Sequence, residues 1–183
     1  MEMYWYKPIY FKFWFAVLAL VIGFSSCKPD VQQNKTAYFN LSSYFKQQAQ
    51  KYRQANIYVL KTVSRNGEAE TKKVKIANWA GELSVFSESD INKPSWKNSY
   101  KTTNSGNLTI YTAKEPDLKT REIILKKEKN EVVYLMIFNV VSNKLFQTKE
   151  KLTYYPDSLY IIQRKLNVRF LGSNSYLIEG KLK

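Results

Sequence analysis

The sequence predicts an α+β domain in which one or two helices pack on a large, curved antiparallel β-meander, an open half-barrel. Three observations predict it: an amphipathic helical pattern after residue 40, an Asn-Gly pair at residues 66–67, and a run of short strand-like segments over residues 100–182. Consecutive strands joined by tight turns must pair antiparallel. Residues 39–183 are therefore expected to form a single α+β domain, a length typical of one domain.

The first helix is predicted by apolar side chains that recur at three- and four-residue spacing, namely Leu41, Tyr44, Phe45, Ala49 and Tyr52. Asn40 precedes this stripe and is expected to cap the helix. A basic amphipathic helix can also lie on a membrane, but packing on the sheet is the preferred interpretation.

A β-hairpin and a second helix follow. Residues 57–64 and 69–77 are rich in Val, Ile and Thr and flank Asn66-Gly67. Both central residues of a type I′ turn need positive φ, which Asn and Gly accept, so the pair predicts a hairpin. The second helix is predicted over residues 79–90, capped by Asn78, although Gly81 disfavours it by about 1 kcal/mol.

The rest of the chain reads as seven strands, near residues 100–104, 107–114, 119–128, 131–141, 144–155, 158–170 and 175–182. The last turn is placed at residues 172–174. Residues 132–141 are apolar on both faces, which predicts a strand covered on one side by a core helix and on the other by something else.

The N-terminus has the pattern of an export signal. Lys7 and Lys12 precede an apolar run over residues 13–24, and Ser25, Ser26 and Cys27 follow it directly. The apolar run is too short for a membrane span of about 20 residues, so residues 1–26 are predicted to be a signal peptide.

The Ser25-Ser26-Cys27 sequence resembles the lipobox of bacterial lipoproteins, of the Bacteroidota type. The resemblance implies that Cys27 receives a diacylglyceryl group, becomes the new N-terminus and is acylated again. Residues 27–38 would then be the lipidated cysteine and a linker. The alternatives are an incidental free thiol or an uncleaved helical anchor. Lysine rather than aspartate at position 28 implies the outer membrane, with the periplasmic face and the cell surface both open.

The order of elements across residues 40–183 is loosely similar to that of the open β-barrels of LolA and LolB, the periplasmic lipoprotein carrier and its outer-membrane receptor. That resemblance implies a site for an apolar ligand between the half-barrel and its helices. Fold alone does not fix function, so it is treated as an analogy.

The chain is strongly basic, with a formal net charge of +14 that falls to +13 when residues 1–26, with Lys7 and Lys12 against Glu2, are removed. Such a charge favours contact with anionic lipid, lipopolysaccharide or acidic glycan, or it simply solvates the surface. Nucleic acid is not an expected partner outside the cytoplasm.

The residue content disfavours most enzyme classes, and no cofactor or metal is expected. The chain has no histidine, its single cysteine is assigned to lipid, and its glycines are too dispersed for a phosphate-binding loop. A carboxylate-dependent glycan enzyme stays open as an alternative, with candidate acids at Glu82, Glu88, Asp90, Glu115 and Asp117. These acids are also typical of a solvated surface, and a non-enzyme is the preferred interpretation.

Aromatic residues are the better candidates for a ligand groove, at Trp79, Phe86, Trp96, Tyr134, Tyr154 and Tyr160. Residues of this kind also simply fill cores. Basic residues interleave with them and are predicted to form one cationic face: Lys126, Lys127, Lys149, Lys151, Arg164, Lys165 and Arg169.

The sequence therefore predicts a lipid-anchored, non-catalytic envelope protein that binds an apolar or anionic ligand or an envelope partner. The first alternative is a structural or assembly lipoprotein of an outer-membrane complex. The second, less favoured, is the glycan-acting enzyme.

Overall fold

A computed structural model describes residues 36–183 of the chain. The predicted signal peptide, Cys27 and most of the predicted linker lie outside the described residues. The first half of the described chain contains helix α1 (Leu41–Ala55), strands β1 (Tyr58–Arg65) and β2 (Glu68–Lys75), short helices α2 (Trp79–Glu82) and α3 (Ser84–Ser87), and a 3-10 helix (Pro94–Trp96). The second half contains β3 (Tyr100–Ser105), β4 (Leu108–Ala113), β5 (Thr120–Glu128), β6 (Glu131–Ser142), β7 (Phe146–Tyr155), β8 (Leu159–Val168) and β9 (Gly172–Leu182).

The nine strands form one open antiparallel sheet in the order β2-β1-β9-β8-β7-β6-β5-β4-β3. Strands β3 to β9 are a continuous meander, as predicted. The β1–β2 hairpin extends the sheet beyond β9, the last strand of the meander. Strand β1 pairs with β9 in a register that places Lys61 opposite Gly180. The antiparallel meander is confirmed, and the α+β domain is mostly β.

Helix α1 forms where the sequence predicts it. The Asn40 side chain accepts a 2.7 Å hydrogen bond from the backbone N–H of Ser43, which satisfies one free donor of the first turn. Leu41, Phe45, Ala49 and Tyr52 are buried on one face. The helix ends at Asn56, whose φ of 49° is left-handed.

The single helix predicted over residues 79–90 is wrong in extent. Two short helices replace it, and Leu83 lies between them with φ −96° and ψ 6°. Asn78 caps the first as predicted, accepting a 2.9 Å hydrogen bond from Gly81 N. The hydroxyls of Ser87 and Ser89 bond to backbone carbonyls three and four residues back, which competes with the regular helical pattern where the second helix ends at Ser87, short of residue 90.

The last turn does not lie where the sequence predicts it. It lies at residues 169–171 rather than 172–174, because Gly172 is already paired with Val168 in the sheet. The reversal is made by Phe170, which adopts a φ of 70°.

The core lies between one face of the sheet and the helices, and this side is called the helix side below. A buried row crosses the sheet at Ile123, Ile137, Leu152 and Ile162, which are register partners on successive strands. Phe45 of α1 packs on Tyr154 of β7, with their ring centroids 5.0 Å apart. Among the helices of residues 36–183, none is both long and apolar enough to span a bilayer.

Candidate binding surfaces

Four of the six aromatic residues predicted to line a groove are buried in the core. Trp79, Phe86, Tyr154 and Tyr160 are each at most 2% exposed. Phe86 stacks on Phe45 at 4.9 Å between centroids, and Trp79 lies against Tyr52 at the same distance. These four side chains therefore contact protein on the helix side.

The buried phenols also bond to one another or to an acid. The hydroxyls of Tyr52 and Tyr154 lie 2.6 Å apart, and Tyr154 donates to Gln48 at 3.2 Å. Burial, reinforced by the neighbouring Tyr52, raises the pKa of Tyr154. Burial and the hydrogen bond to Glu82 likewise raise the pKa of Tyr160. Both phenols are thus held protonated as structural donors.

The other two predicted groove residues lie elsewhere. Trp96 is half-buried at the edge of the core, with the Lys93 ammonium 4.1 Å from its ring centroid. Tyr134 lies on the opposite face of the sheet, where its ring packs at 5.0 Å from that of Tyr155. The six residues do not share one surface, and their role in ligand binding stays a prediction.

A cavity of about 310 Å³ opens on the helix side, where α2 and α3 meet strands β1, β8 and β9. Its lining includes Lys61, Glu82, Ile162, Arg164 and Ile178, and it is called the helix-side cleft. Lys61 is 2.7 Å from Glu82, and Arg164 is 2.6 Å from Glu150, which is buried. Both cations of the cleft therefore already have an acidic partner.

The candidate acids have separate roles. Glu82 pairs with Lys61, and Asp90 accepts backbone hydrogen bonds from Ser42 and Asn92. The remaining three, Glu88, Glu115 and Asp117, are exposed to solvent. Within residues 36–183, no group of three or more His, Cys, Asp or Glu side chains is placed to hold a metal ion.

The other face of the sheet, which points away from the helices, is called the open face. Its half-buried apolar side chains include Ile110, Ile124, Tyr134, Met136, Phe138, Val140, Ile161 and Leu177. Strand β6 is thus apolar on both faces, as the sequence indicates. In the part of the chain that the structure describes, the helices pack on the helix side and leave the open face uncovered.

A second, shallow cavity of about 310 Å³ lies on the open face. Its lining includes Phe138, Lys149, Lys151, Gln163, Lys165 and Leu177, and it is called the lysine groove. Lys149 of β7 is directly opposite Lys165 of β8, and Lys151 is opposite Gln163. None of the three lysines forms an ion pair with a residue of the 36–183 range.

Only some of the residues predicted to form the cationic face lie on the same face of the sheet. Lys126, Lys149, Lys151 and Lys165 lie on the open face, whereas Arg164 points to the helix side and pairs with Glu150. The Lys127 ammonium is 5.2 Å from the Phe39 ring, also on the helix side, because neighbouring residues of a strand point to opposite faces of the sheet. The polar groove residue Gln163 was missed, although strict alternation from Lys165 along β8 would have found it.

Comparison with protein-family models, curated proteins and solved structures found no match for this chain. The resemblances to lipoprotein signals and to the open barrels of LolA and LolB stay predictions.

Proposed function

We propose that this chain is a lipid-anchored, non-catalytic envelope protein that binds an amphiphilic anion in the lysine groove. In this proposal Cys27 carries the lipid, the outer membrane is the location, and the sheet is a curved half-barrel that presents its open face to the ligand. The anion is a phosphate or carboxylate group attached to an apolar body.

The observation that carries the proposal is the direct pairing of Lys149 with Lys165. Like charges opposite each other on neighbouring strands destabilise a sheet. A bound anion would remove that repulsion, and the adjacent Lys151 would add a third cation to the same site.

The apolar part of the ligand is supported by the walls of the groove. Phe138 of β6 is opposite Lys151 of β7, and Leu177 of β9 is opposite Gln163 of β8. Both side chains are half-buried, so they offer apolar surface beside the lysines. Gln163 supplies an amide that can donate to an oxyanion or accept from a hydroxyl.

The helix-side cleft is less suited to an anion, because its cations are already neutralised. Displacing Glu82 from Lys61, or Glu150 from Arg164, would leave a shielded carboxylate without its partner. The lysine groove requires no such exchange.

The test is calorimetric titration of the full chain in non-ionic detergent with dihexanoyl phosphatidic acid, a short-chain soluble lipid. Dihexanoyl phosphatidylcholine, the zwitterionic analogue, is the ligand control. K149Q/K165Q should weaken binding of the phosphatidic acid by about tenfold or more, since each lysine near an anion contributes about 1 kcal/mol.

The matched protein control is K73Q/K75Q. It removes the same charge from the same face, but these lysines lie over the Tyr58 ring at the edge of the sheet, outside the groove. Equal losses in the two double variants would show general charge attraction and contradict a groove site. An unchanged affinity of K149Q/K165Q would contradict it as well.

The assembly-lipoprotein alternative would use a sheet edge as a docking strand. The β2 edge carries Lys72, Lys73 and Lys75, and such charges discourage strand addition. Affinity purification in detergent separates the two proposals, because a stoichiometric protein partner favours assembly and a co-purifying anionic lipid favours ligand binding.

A further inference from the structure

Three large apolar side chains project into solvent from two neighbouring turns at one end of the sheet. Leu145 is 69% exposed, Phe170 92% and Leu171 82%. Leu145 lies in the β6–β7 turn, and the other two lie in the β8–β9 turn. Together they are called the apolar tip.

The two turns are held together, so the tip is one feature. Arg169 N donates a 2.9 Å hydrogen bond to Leu145 O, which joins the turns directly. The Asn143 side chain accepts from the backbone N–H groups of Leu145 and Phe146, at 2.8 and 2.9 Å. These bonds fix the first turn while its leucine side chain stays in solvent.

The conformation of Phe170 is a further signal. Its φ of 70° is left-handed, which is uncommon for a bulky aromatic residue and energetically unfavourable. Within residues 36–183 no packing compensates for that cost, because the ring is almost fully exposed. A contact made outside the folded chain would compensate for it.

The charged residues of the two turns are both positive. Lys144 and Arg169 belong to the same turns, and the Arg169 guanidinium is 5.1 Å from the Phe170 ring centroid. Residues 140–149 and 164–178 contain no Asp or Glu. The tip therefore combines exposed apolar side chains with cations and no acids, the combination found where proteins enter an anionic bilayer interface.

We propose that the apolar tip inserts into a lipid bilayer that contains anionic lipids. Leu145, Phe170 and Leu171 enter the acyl boundary, and Lys144 and Arg169 contact lipid phosphates. This inference goes beyond the proposed function, since it uses neither the lysine groove nor a soluble ligand.

The size of the tip favours a bilayer over a protein partner. A stable protein interface buries about 800 Å² on each side, far more than three side chains at two turns supply. A bilayer accepts single side chains, and a second weak contact strengthens membrane binding that a first anchor begins.

The test is the depth of a nitroxide label on the full chain bound to vesicles of equal parts phosphatidylglycerol and phosphatidylcholine. Cys27→Ser removes the native thiol, and Leu171→Cys places the label on the tip. Lys129→Cys labels an exposed turn at the opposite end of the sheet. Relaxation by oxygen, which is enriched in lipid, is compared with relaxation by a water-soluble nickel complex.

The label at position 171 should shift toward oxygen accessibility, whereas the label at position 129 stays accessible to nickel. Adding L145S/F170S should return the tip label to water, because each buried apolar side chain contributes about tenfold to partitioning. Y58S, which alters an exposed aromatic residue away from the tip, should not. Circular dichroism confirms that these surface variants are folded.

A chain that stays in the supernatant, or a tip label as accessible to nickel as the label at position 129, overturns the inference. K149Q/K165Q should leave the depth of the tip label unchanged. Failure of the lysine groove and failure of the tip are therefore distinguishable.

Discussion

The hydroxyl of Tyr160, near the start of strand β8, donates a 2.6 Å hydrogen bond to Oε1 of Glu82 in helix α2. The same carboxylate is bonded by Nζ of Lys61 from strand β1, 2.8 Å from Oε2. One acid thus connects two strands and a helix of only four residues, which has little stability of its own.

Tyr160→Phe should lower the free energy of unfolding by about 1–3 kcal/mol, because it removes a shielded hydrogen bond to a charged group. Denaturant unfolding of the full chain measures the loss. Tyr155→Phe is the matched control, since Tyr155 is 41% exposed and should change stability by less than about 0.5 kcal/mol. Equal effects of the two variants would contradict a special role for the Glu82 bond.

Gly180→Ala should destabilise the sheet by about 1–3 kcal/mol, because an added methyl group would overlap the Tyr160 ring on the neighbouring strand. A double-mutant cycle with Tyr160→Ala checks the cause. Once the ring is absent, alanine at position 180 should cost much less. If the two losses of stability are simply additive, the cost of alanine at position 180 does not come from contact with the Tyr160 ring.

Stability should fall as the pH rises above about 10, the ordinary pKa of tyrosine. Burial raises the pKa of Tyr100 to about 12, and it raises the pKa of Tyr44, Tyr154 and Tyr160 as well. The unfolded chain loses its phenolic protons near pH 10, before the folded chain does. The stabilisation is therefore complete below about pH 10 and is lost as the pH rises toward the raised pKa values.

Urea unfolding at a series of alkaline pH values, with tyrosinate absorbance recorded in parallel, measures this loss. The absorbance should show that the buried phenols ionise together with unfolding. Free ionisation of every tyrosine in a chain that is still folded would contradict the burial.

Cys27→Ser should abolish lipid attachment and block removal of residues 1–26, because the thiol is the acceptor in the lipoprotein pathway that the lipobox resembles. Mass spectrometry of the N-terminus after expression in a bacterium with that pathway measures both changes. A variant that is still cleaved and stays in the membrane fraction like the parent would disprove the anchor.

Elements with a local signal could be predicted from the sequence. The α1 stripe, its Asn40 cap and the Asn66-Gly67 hairpin depend on neighbouring residues, and all three are confirmed. The two short helices in place of one, and the turn at Phe170, could not be predicted. The break between the two helices falls at Leu83, which is buried in the core, and the turn places a bulky residue in a conformation that local rules assign to glycine.

The site was predicted less well, because it depends on which face a residue occupies. Tyr134 and Tyr154 are both aromatic and both on strands, yet one lies on the open face and the other in the core. The sequence predicted that Lys149, Lys151 and Lys165 belong to one cationic face. Their convergence follows from the β7–β8 register, which pairs Lys149 with Lys165.

The pairing of β1 with β9 has a consequence for how the molecule is assembled. Asn66 and Asn174 bond across that junction although 108 residues separate them. A chain is synthesised from its N-terminus, so the β1–β2 hairpin emerges well before the strand beside which it must lie. Closing so long a loop is slow, and until β9 arrives the β1 edge of the hairpin stays unpaired and open to strand addition by another copy of the chain.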